Sequence, residues 1–351
     1  MQHSTFYPGP SKIYPQVEGF LAEAFASGIL SANHRSTMGM DLIKSCVEIV
    51  KSKLDIPSDY EVFLTSSATE CWEIIAQSLI LNSSQHLHNG AFGQKWAAYT
   101  QRLCKNSEAI DFEDINQKIY IENSTSDLLC ITQNETANGS WIDMETMGQI
   151  REKHQGIIAV DVTSSLGGIA LDWPLGDVWF GSVQKCLGLP AGLALMVCSP
   201  RAIAQAKVIN NRQHYNSLLF VKENFDVHQT PYTPNMLGIF LLKKVMEIRQ
   251  PIAQINKHIS LRAKGLYRFF EENHQIGLWP LVDTQGLRSA TVICLGGEPE
   301  RINFLIEKCL SQGIILGKGY GHLKQNSLRI ANFPAIDDTE FERLKHLLMN
   351  S

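Results

Sequence analysis

From about residue 60 the chain alternates short apolar runs with longer stretches of helical periodicity. Tyr60 to Leu64 (YEVFL) reads as a strand. The small polar turn Ser66-Ser67-Ala68-Thr69 follows, and Trp72, Ile75 and Leu79 then recur at three- and four-residue spacing, the period of an amphipathic helix. Asp127 to Thr132, Gly156 to Val160 and Leu193 to Cys198 are further short apolar runs. Strands alternating with helices predict an α/β fold, with a mainly parallel sheet between two layers of helices. Ligands of such sheets gather beyond the carboxyl ends of the strands, where the polar turns at Ser66, Gln133 and Asp161 fall.

The texture changes after about residue 245. A long amphipathic segment (Pro251 to Glu272) is followed by a strand over Ser289 to Leu295, a helix near Glu300 to Gln312 and a closing helix near Thr339 to Met349. We therefore expect residues 16–245 to form a large domain, and residues 1–15 with 246–351 a smaller α+β domain.

Composition narrows the function classes. In 351 residues with 44% hydrophobic and 19% charged content, the net charge is −4, and no polybasic tract offers a nucleic-acid surface. No apolar run approaches the roughly 20 residues that span a bilayer, and the N-terminus lacks the features of a secretory signal. The eight cysteines are scattered without a Cys-x-x-Cys pair, and several sit in apolar runs. The expectation is a reduced, cytoplasmic protein acting on small molecules.

Five segments carry candidate chemistry. Lys185 lies between an apolar run and the turn Gly188-Leu-Pro-Ala-Gly192, so it reads either as a loop lysine or as a desolvated, nucleophilic amine. Asp161 ends an apolar strand, where it serves a turn or pairs with a protonated ring nitrogen. The Ser66–Thr69 turn is an N-cap or a phosphate cradle at a helix start. Phe92, between Gly90-Ala91 and Gly93, is a core residue or a stacking surface, and Gln133 to Gly139 is a polar turn of either kind.

In order along the chain, these segments resemble the class V aminotransferases of fold type I, and within them the phosphoserine aminotransferases. Phe6-Tyr7-Pro8-Gly9-Pro10, Ser31-Ala-Asn-His34-Arg35-Ser36, Asn134-Glu-Thr136, Gln184-Lys185, Gln229-Thr230-Pro231 and Leu328-Arg329-Ile330 extend the likeness over nearly the whole chain. The resemblance implies pyridoxal 5′-phosphate held as a Schiff base on Lys185, with Asp161 at the pyridine nitrogen, Thr136 near the ring hydroxyl and Phe92 stacked on the ring. Ser67, Ala68, Thr69 and Gln184 would form the phosphate cup, which Gln229 and Thr230 complete from the other subunit of a homodimer. His34 and Arg35 would reach into the neighbouring site toward a substrate phosphate, with His322 nearby. Arg329 is the candidate for the substrate's α-carboxylate, since a guanidinium binds it through two parallel hydrogen bonds. The substrates would be an amino acid and a 2-oxo acid, namely O-phosphoserine and 3-phosphohydroxypyruvate with glutamate and 2-oxoglutarate.

Three features depart from that pattern. Leu323 follows His322 where the family usually has arginine, with Lys324 next, Phe92 replaces the usual tryptophan, and the phosphate turn has Ser66-Ser67 where glycine is commoner. The first departure admits an alanine– or serine–glyoxylate type of aminotransferase. From other classes, a protein that keeps the cofactor without catalysis and a zinc protein using His86-Leu-His88 are weighed, the latter without a visible third ligand.

Overall fold

A computed structural model of the chain describes residues 4–104, 106–112 and 125–351. Its strands in chain order are β1 (Ser4–Phe6), β2 (Glu61–Thr65), β3 (Ser84–His88), β4 (Ser107–Asp111), β5 (Leu128–Thr132), β6 (Asn134–Glu135) and β7 (Ser140–Trp141). They continue with β8 (Ile157–Asp161), β9 (Val178–Ser182), β10 (Ala194–Cys198), β11 (Trp279–Pro280), β12 (Val292–Gly296), β13 (Ile314–Lys318) and β14 (Ser327–Ala331).

A seven-stranded sheet has the order β2-β10-β9-β8-β5-β3-β4. Strands β4, β3, β5, β8 and β9 pair in parallel, and β10 runs against both its neighbours. Every residue of β5, β8, β9 and β10 is buried. Their sequences are therefore continuous apolar runs rather than alternating ones, as expected of strands covered on both faces. Leu129, Ile131, Val160 and Leu195 face helices Val17–Ser27, Thr37–Leu54 and Met236–Ile248. The intervening Leu128, Cys130, Ala159 and Met196 meet helices Ala68–Leu79 and Pro200–Ile209.

The second sheet, β1-β13-β14-β12-β11, joins the N-terminal strand to the C-terminal region by parallel pairing of β1 with β13. Helices Ile252–Glu272, Pro299–Ser311 and Asp338–Met349 cover it through Leu266, Phe270, Leu305, Phe341 and Leu344. A capping box between Asp337 and Glu340 starts the last helix.

The structure differs from the sequence expectation at two strands that matter for the site. β12 starts at Val292 rather than Ser289, because the Ser289 hydroxyl accepts the N–H groups of Thr291 and Val292 at 3.1 and 3.0 Å and forms a turn there. β14 has no counterpart in the apolar pattern, since Ser327 to Ala331 carries an arginine at its centre. Its five residues are nonetheless all buried between β13 and β12.

Candidate active site

The carboxyl ends of β5, β8 and β9 meet a helix N-terminus around a cavity of about 230 Å³. Thr132 and Asp161 end β5 and β8 side by side in register, and Asp161 lies opposite Phe180 on β9. Ser182 is the last residue of β9, and Lys185 stands three residues beyond it.

Lys185 is buried, and its Nζ donates to the carbonyl of Pro8 at 2.9 Å. The N-terminal segment thus closes over the amine. Gly9, at φ 142°, is the residue that permits it, because a Cβ there would lie 2.8 Å from Nζ. Burial lowers the Lys185 pKa to about 8, the positive charge of Arg329 adds to this, and Asp161 opposes it. An amine of that pKa is about one-tenth free base at pH 7, against well under a thousandth for an ordinary lysine, and the free base is the nucleophile.

Asp161 is also buried, and one carboxylate oxygen accepts the Thr163 N–H at 2.8 Å. Burial raises its pKa, against the bonds from Thr163 and the charge of Lys185. Thr136 lines the same cavity; its hydroxyl donates to the Ser164 hydroxyl at 2.9 Å and is thereby oriented.

Helix Ala68–Leu79 aims its N-terminus into the cavity, with Ala68 and Thr69 on the wall. The Ala68 N–H reaches the Ser182 hydroxyl at 3.3 Å. The two serines before the helix are otherwise engaged. The Ser67 hydroxyl caps the helix by accepting the Glu70 N–H at 3.1 Å, and Ser66 donates through both its backbone N–H and its hydroxyl to Glu70 Oε2. The turn read as a cradle therefore presents Ala68 and Thr69 to the cavity, while Ser67 holds the helix start.

Among the described residues, buried side-chain oxygens of cavity-lining residues without a hydrogen-bond partner include Thr132 Oγ1, Asn134 Oδ1 and Gln184 Oε1. Buried polar groups without partners are costly, so their convergence marks a place for a polar ligand. A ligand with a phosphate, a hydroxyl and a ring nitrogen matches a wall of helix N–H groups, Thr136 and Asp161.

Phe92 flanks the cavity with its ring centroid 5.8 Å from Lys185 Nζ, and it stacks on Tyr320 at 4.9 Å. Arg329, in the middle of β14, is buried. Its Nε donates to the Lys318 carbonyl at 2.8 Å and its Nη1 to the Thr136 carbonyl at 3.1 Å. Two of its five N–H donors are so held, and the guanidinium is fixed beside the residue that lines the cavity.

This ordered set matches the family Aminotransferase class-V over residues 7–320. The chain belongs to the class V aminotransferases. It is 27% identical over 348 residues to a phosphoserine aminotransferase of Corynebacterium glutamicum, covering 96% of this chain and 91% of that protein. A phosphoserine aminotransferase of Cytophaga hutchinsonii superposes with a TM-score of 0.93 at 31% identity, covering 99% of each chain. An alanine–glyoxylate aminotransferase of Nostoc shares the fold at a TM-score of 0.81 and 16% identity, covering 100% of this chain and 95% of that one.

Seven of the residues expected to act in this class V aminotransferase line the one cavity: Ala68, Thr69, Phe92, Thr136, Asp161, Gln184 and Lys185. Others stand apart within the chain. Gln229 touches Met40 Sδ at 3.4 Å, one turn into the helix that His34 and Arg35 precede, and the Thr230 hydroxyl bonds the Tyr232 carbonyl at 2.5 Å. His34 is buried with Nε2 unpartnered among the described residues, and Arg35 is exposed. His322 is exposed on the short turn Gly321–Leu323, at a neighbouring cavity of about 490 Å³ that it shares with Tyr320 and His88. Lys324 lines another cavity together with Lys318, Tyr320 and Arg329.

The histidine pair of β3 is part of the protein interior. His86 sits edge-on to Trp96 at 5.3 Å with its pKa pushed down to about 3 by burial, and His88 Nδ1 is 3.8 Å from Asp111. Among the described residues no group of three ligating side chains is placed to hold a metal ion.

Trp72, Pro8 and Glu135 belong to the site without being legible as such in the sequence. Trp72 reads only as a helix-face residue, and Pro8 falls in a motif without a role. Glu135 lies inside Asn134-Glu-Thr136 with no task of its own. In each case the signal is a contact between distant segments, which periodicity does not carry.

Proposed function

We propose that this class V transaminase uses pyridoxal 5′-phosphate and moves an amino group between O-phosphoserine with 3-phosphohydroxypyruvate and glutamate with 2-oxoglutarate. The observation that carries the reading is the placement of a desolvated Lys185 amine in one cavity with Asp161, Thr136 and the N-terminus of helix Ala68–Leu79. Bound there, pyridoxal phosphate supplies an aldehyde carbon for Lys185 and a ring that accepts the electron pair left when the substrate's Cα–H bond breaks.

The chain's own groups do the rest. Asp161 holds a proton at the ring nitrogen, and the N–H groups of Ala68 and Thr69 with Gln184 receive the phosphate. Phe92 covers one face of the ring. With its amine free, Lys185 Nζ would take the proton from the substrate's Cα and deliver it to the cofactor's former aldehyde carbon. Arg329 binds the α-carboxylate with the donors that Thr136 and Lys318 leave free.

The same reading makes the enzyme a homodimer with shared sites. It is supported by the placement of Gln229 and Thr230 away from their own chain's cavity, with Gln229 against the helix that follows His34 and Arg35. No helix among the described residues is long and apolar enough to cross a membrane, and a cytoplasmic location fits the eight free cysteines.

Single-turnover spectra with phosphoserine, serine, alanine and glutamate test the substrate. Phosphoserine and glutamate are expected to bleach the cofactor band, with serine and alanine at least tenfold slower. Leu323 beside His322 favours a second reading, an unphosphorylated amino acid as donor. Rapid reaction of alanine or serine with an inert phosphoserine establishes that reading and ends the first.

The state of Lys185 gives a separate expectation. Only the free base attacks an aldehyde, so the rate at which apoenzyme captures pyridoxal phosphate should rise about tenfold per pH unit below about 8 and level off above it. Stopped-flow absorbance measures this, and a midpoint above 10 means that Lys185 behaves as an ordinary lysine.

A further inference from the structure

Helix Ala91–Leu103 starts without a cap of its own. Its N-cap residue is Gly90, with no side chain to satisfy the first N–H groups, a task that Ser, Thr, Asp or Asn ordinarily performs. The donors are met from 43 residues further along the chain. Glu135 Oε2 accepts the N–H groups of Phe92 and Gly93, both at 3.1 Å, while Oε1 accepts the Ala137 N–H at 2.8 Å. This capping requires the glycine, because a Cβ on Gly90 would lie 2.4 Å from Glu135 Cγ and 2.7 Å from Cδ.

Glu135 is buried on the β6–β7 ribbon, and a buried carboxylate is costly unless bonds and a helix N-terminus offset the loss of water. Burial raises its pKa to about 7, the nearby charge of Asp161 adds to this, and the three backbone bonds oppose it. Lys185, Arg329 and Cys294 also lie close enough to feel its charge.

The carboxylate holds what the site needs held. Phe92 is the second residue of the capped helix, and its ring flanks the cavity beside Lys185. Thr136, the next residue after Glu135, orients its hydroxyl on Ser164 and its carbonyl on Arg329. A shift of Glu135 therefore moves the aromatic wall and the carboxylate-binding arginine's anchor together.

We propose that Glu135 is a positioning residue for transamination, capping helix Ala91–Leu103 from the β6–β7 ribbon and so setting the height and tilt of the Phe92 ring over the cofactor plane. The inference rests on the pyridoxal phosphate reading above. It assigns Glu135 no contact with substrate. Its action goes through backbone N–H groups, and displacements well under 1 Å in such a wall are enough to lower a rate.

The test uses full-length wild type, Glu135→Gln, Glu135→Asp, Phe92→Leu and the Glu135→Gln/Phe92→Leu double variant, each saturated with pyridoxal phosphate. In Glu135→Gln the amide must turn its NH₂ toward at least one of the three N–H donors. We expect the visible circular dichroism of the bound cofactor to fall at least twofold, kcat to fall about tenfold, and KM for the amino donor to change less than twofold. In the Phe92→Leu background the same substitution should change neither the dichroism nor kcat by more than twofold. If Glu135→Gln does not fold, Glu135→Asp serves: it keeps the charge, withdraws the oxygens by one methylene, and should lose dichroism and kcat in the same direction. Full dichroism and kcat in both Glu135 variants overturn the proposal, as does an undiminished loss in the Phe92→Leu background, which would mark a merely structural role. Wild type that takes up no pyridoxal phosphate overturns the functional reading itself. When wild type does take it up, the variants bear on Glu135 alone.

Discussion

Lys185→Ala enzyme is expected to lose transamination by at least a factor on the order of 10³, the scale of a positioned proton-transfer group together with a covalent attachment point. The proposed mechanism gives Lys185 both roles in one cavity, and among the described residues no other lysine donates to the Pro8 carbonyl that holds its amine. The loss should not come from unfolding. Lys185 is a buried cation whose pKa is lowered first by desolvation and then by Arg329, so its removal relieves an unfavourable charge. The thermal midpoint should stay level or rise. Pyridoxal phosphate should still bind through the helix N-terminus and Asp161, but borohydride should no longer fix it to the protein, and small primary amines should restore part of the lost rate. Residual activity above a tenth of wild type, or a borohydride adduct mapped to another lysine, sinks the assignment.

The second large effect is expected at Arg329. Amino acid and 2-oxo acid both carry an α-carboxylate, so Arg329→Met should lower kcat/KM for both by about 10²-fold, close to 3 kcal/mol of lost charge-assisted bonding. Arg329→Lys should recover little, because an ammonium lacks the planar fork, and its smaller donor set would have to satisfy the carbonyls of Thr136 and Lys318 as well as the substrate. Arg329 also depresses the Lys185 pKa, so in Arg329→Met the midpoint for cofactor capture should move upward from about 8. Steady-state kinetics with both substrate classes, and the pH dependence of cofactor capture, read the two effects separately. Unchanged kcat/KM for both substrates would remove Arg329 from the carboxylate site.

Sequence and structure agree where chemistry follows local pattern. The runs ending at Asp161 and Thr132 are fully buried strands, and a buried parallel strand must be apolar throughout and then polar where it emerges. The helix after Ser67 is visible in the sequence because a hydroxyl cap and a periodic apolar face are both local features. β14 is hidden for the opposite reason. An arginine in a five-residue strand contradicts burial until Thr136 and Lys318, from elsewhere in the chain, supply the carbonyls that pair it.

What the sequence by itself determined is the α/β class and the polar residues that stand at the strand ends, because backbone period and burial act over a few residues. The division of labour within the site was decided only by tertiary structure. Ser67 became a helix cap while Ala68 and Thr69 became the cavity wall. Glu135, unassigned in sequence, became the cap of a helix that begins at a glycine, and Pro8 became the acceptor for Lys185. The Glu135 and Pro8 bonds join segments far apart in the chain, and the energy that selects them exists only once the sheet has brought those segments together.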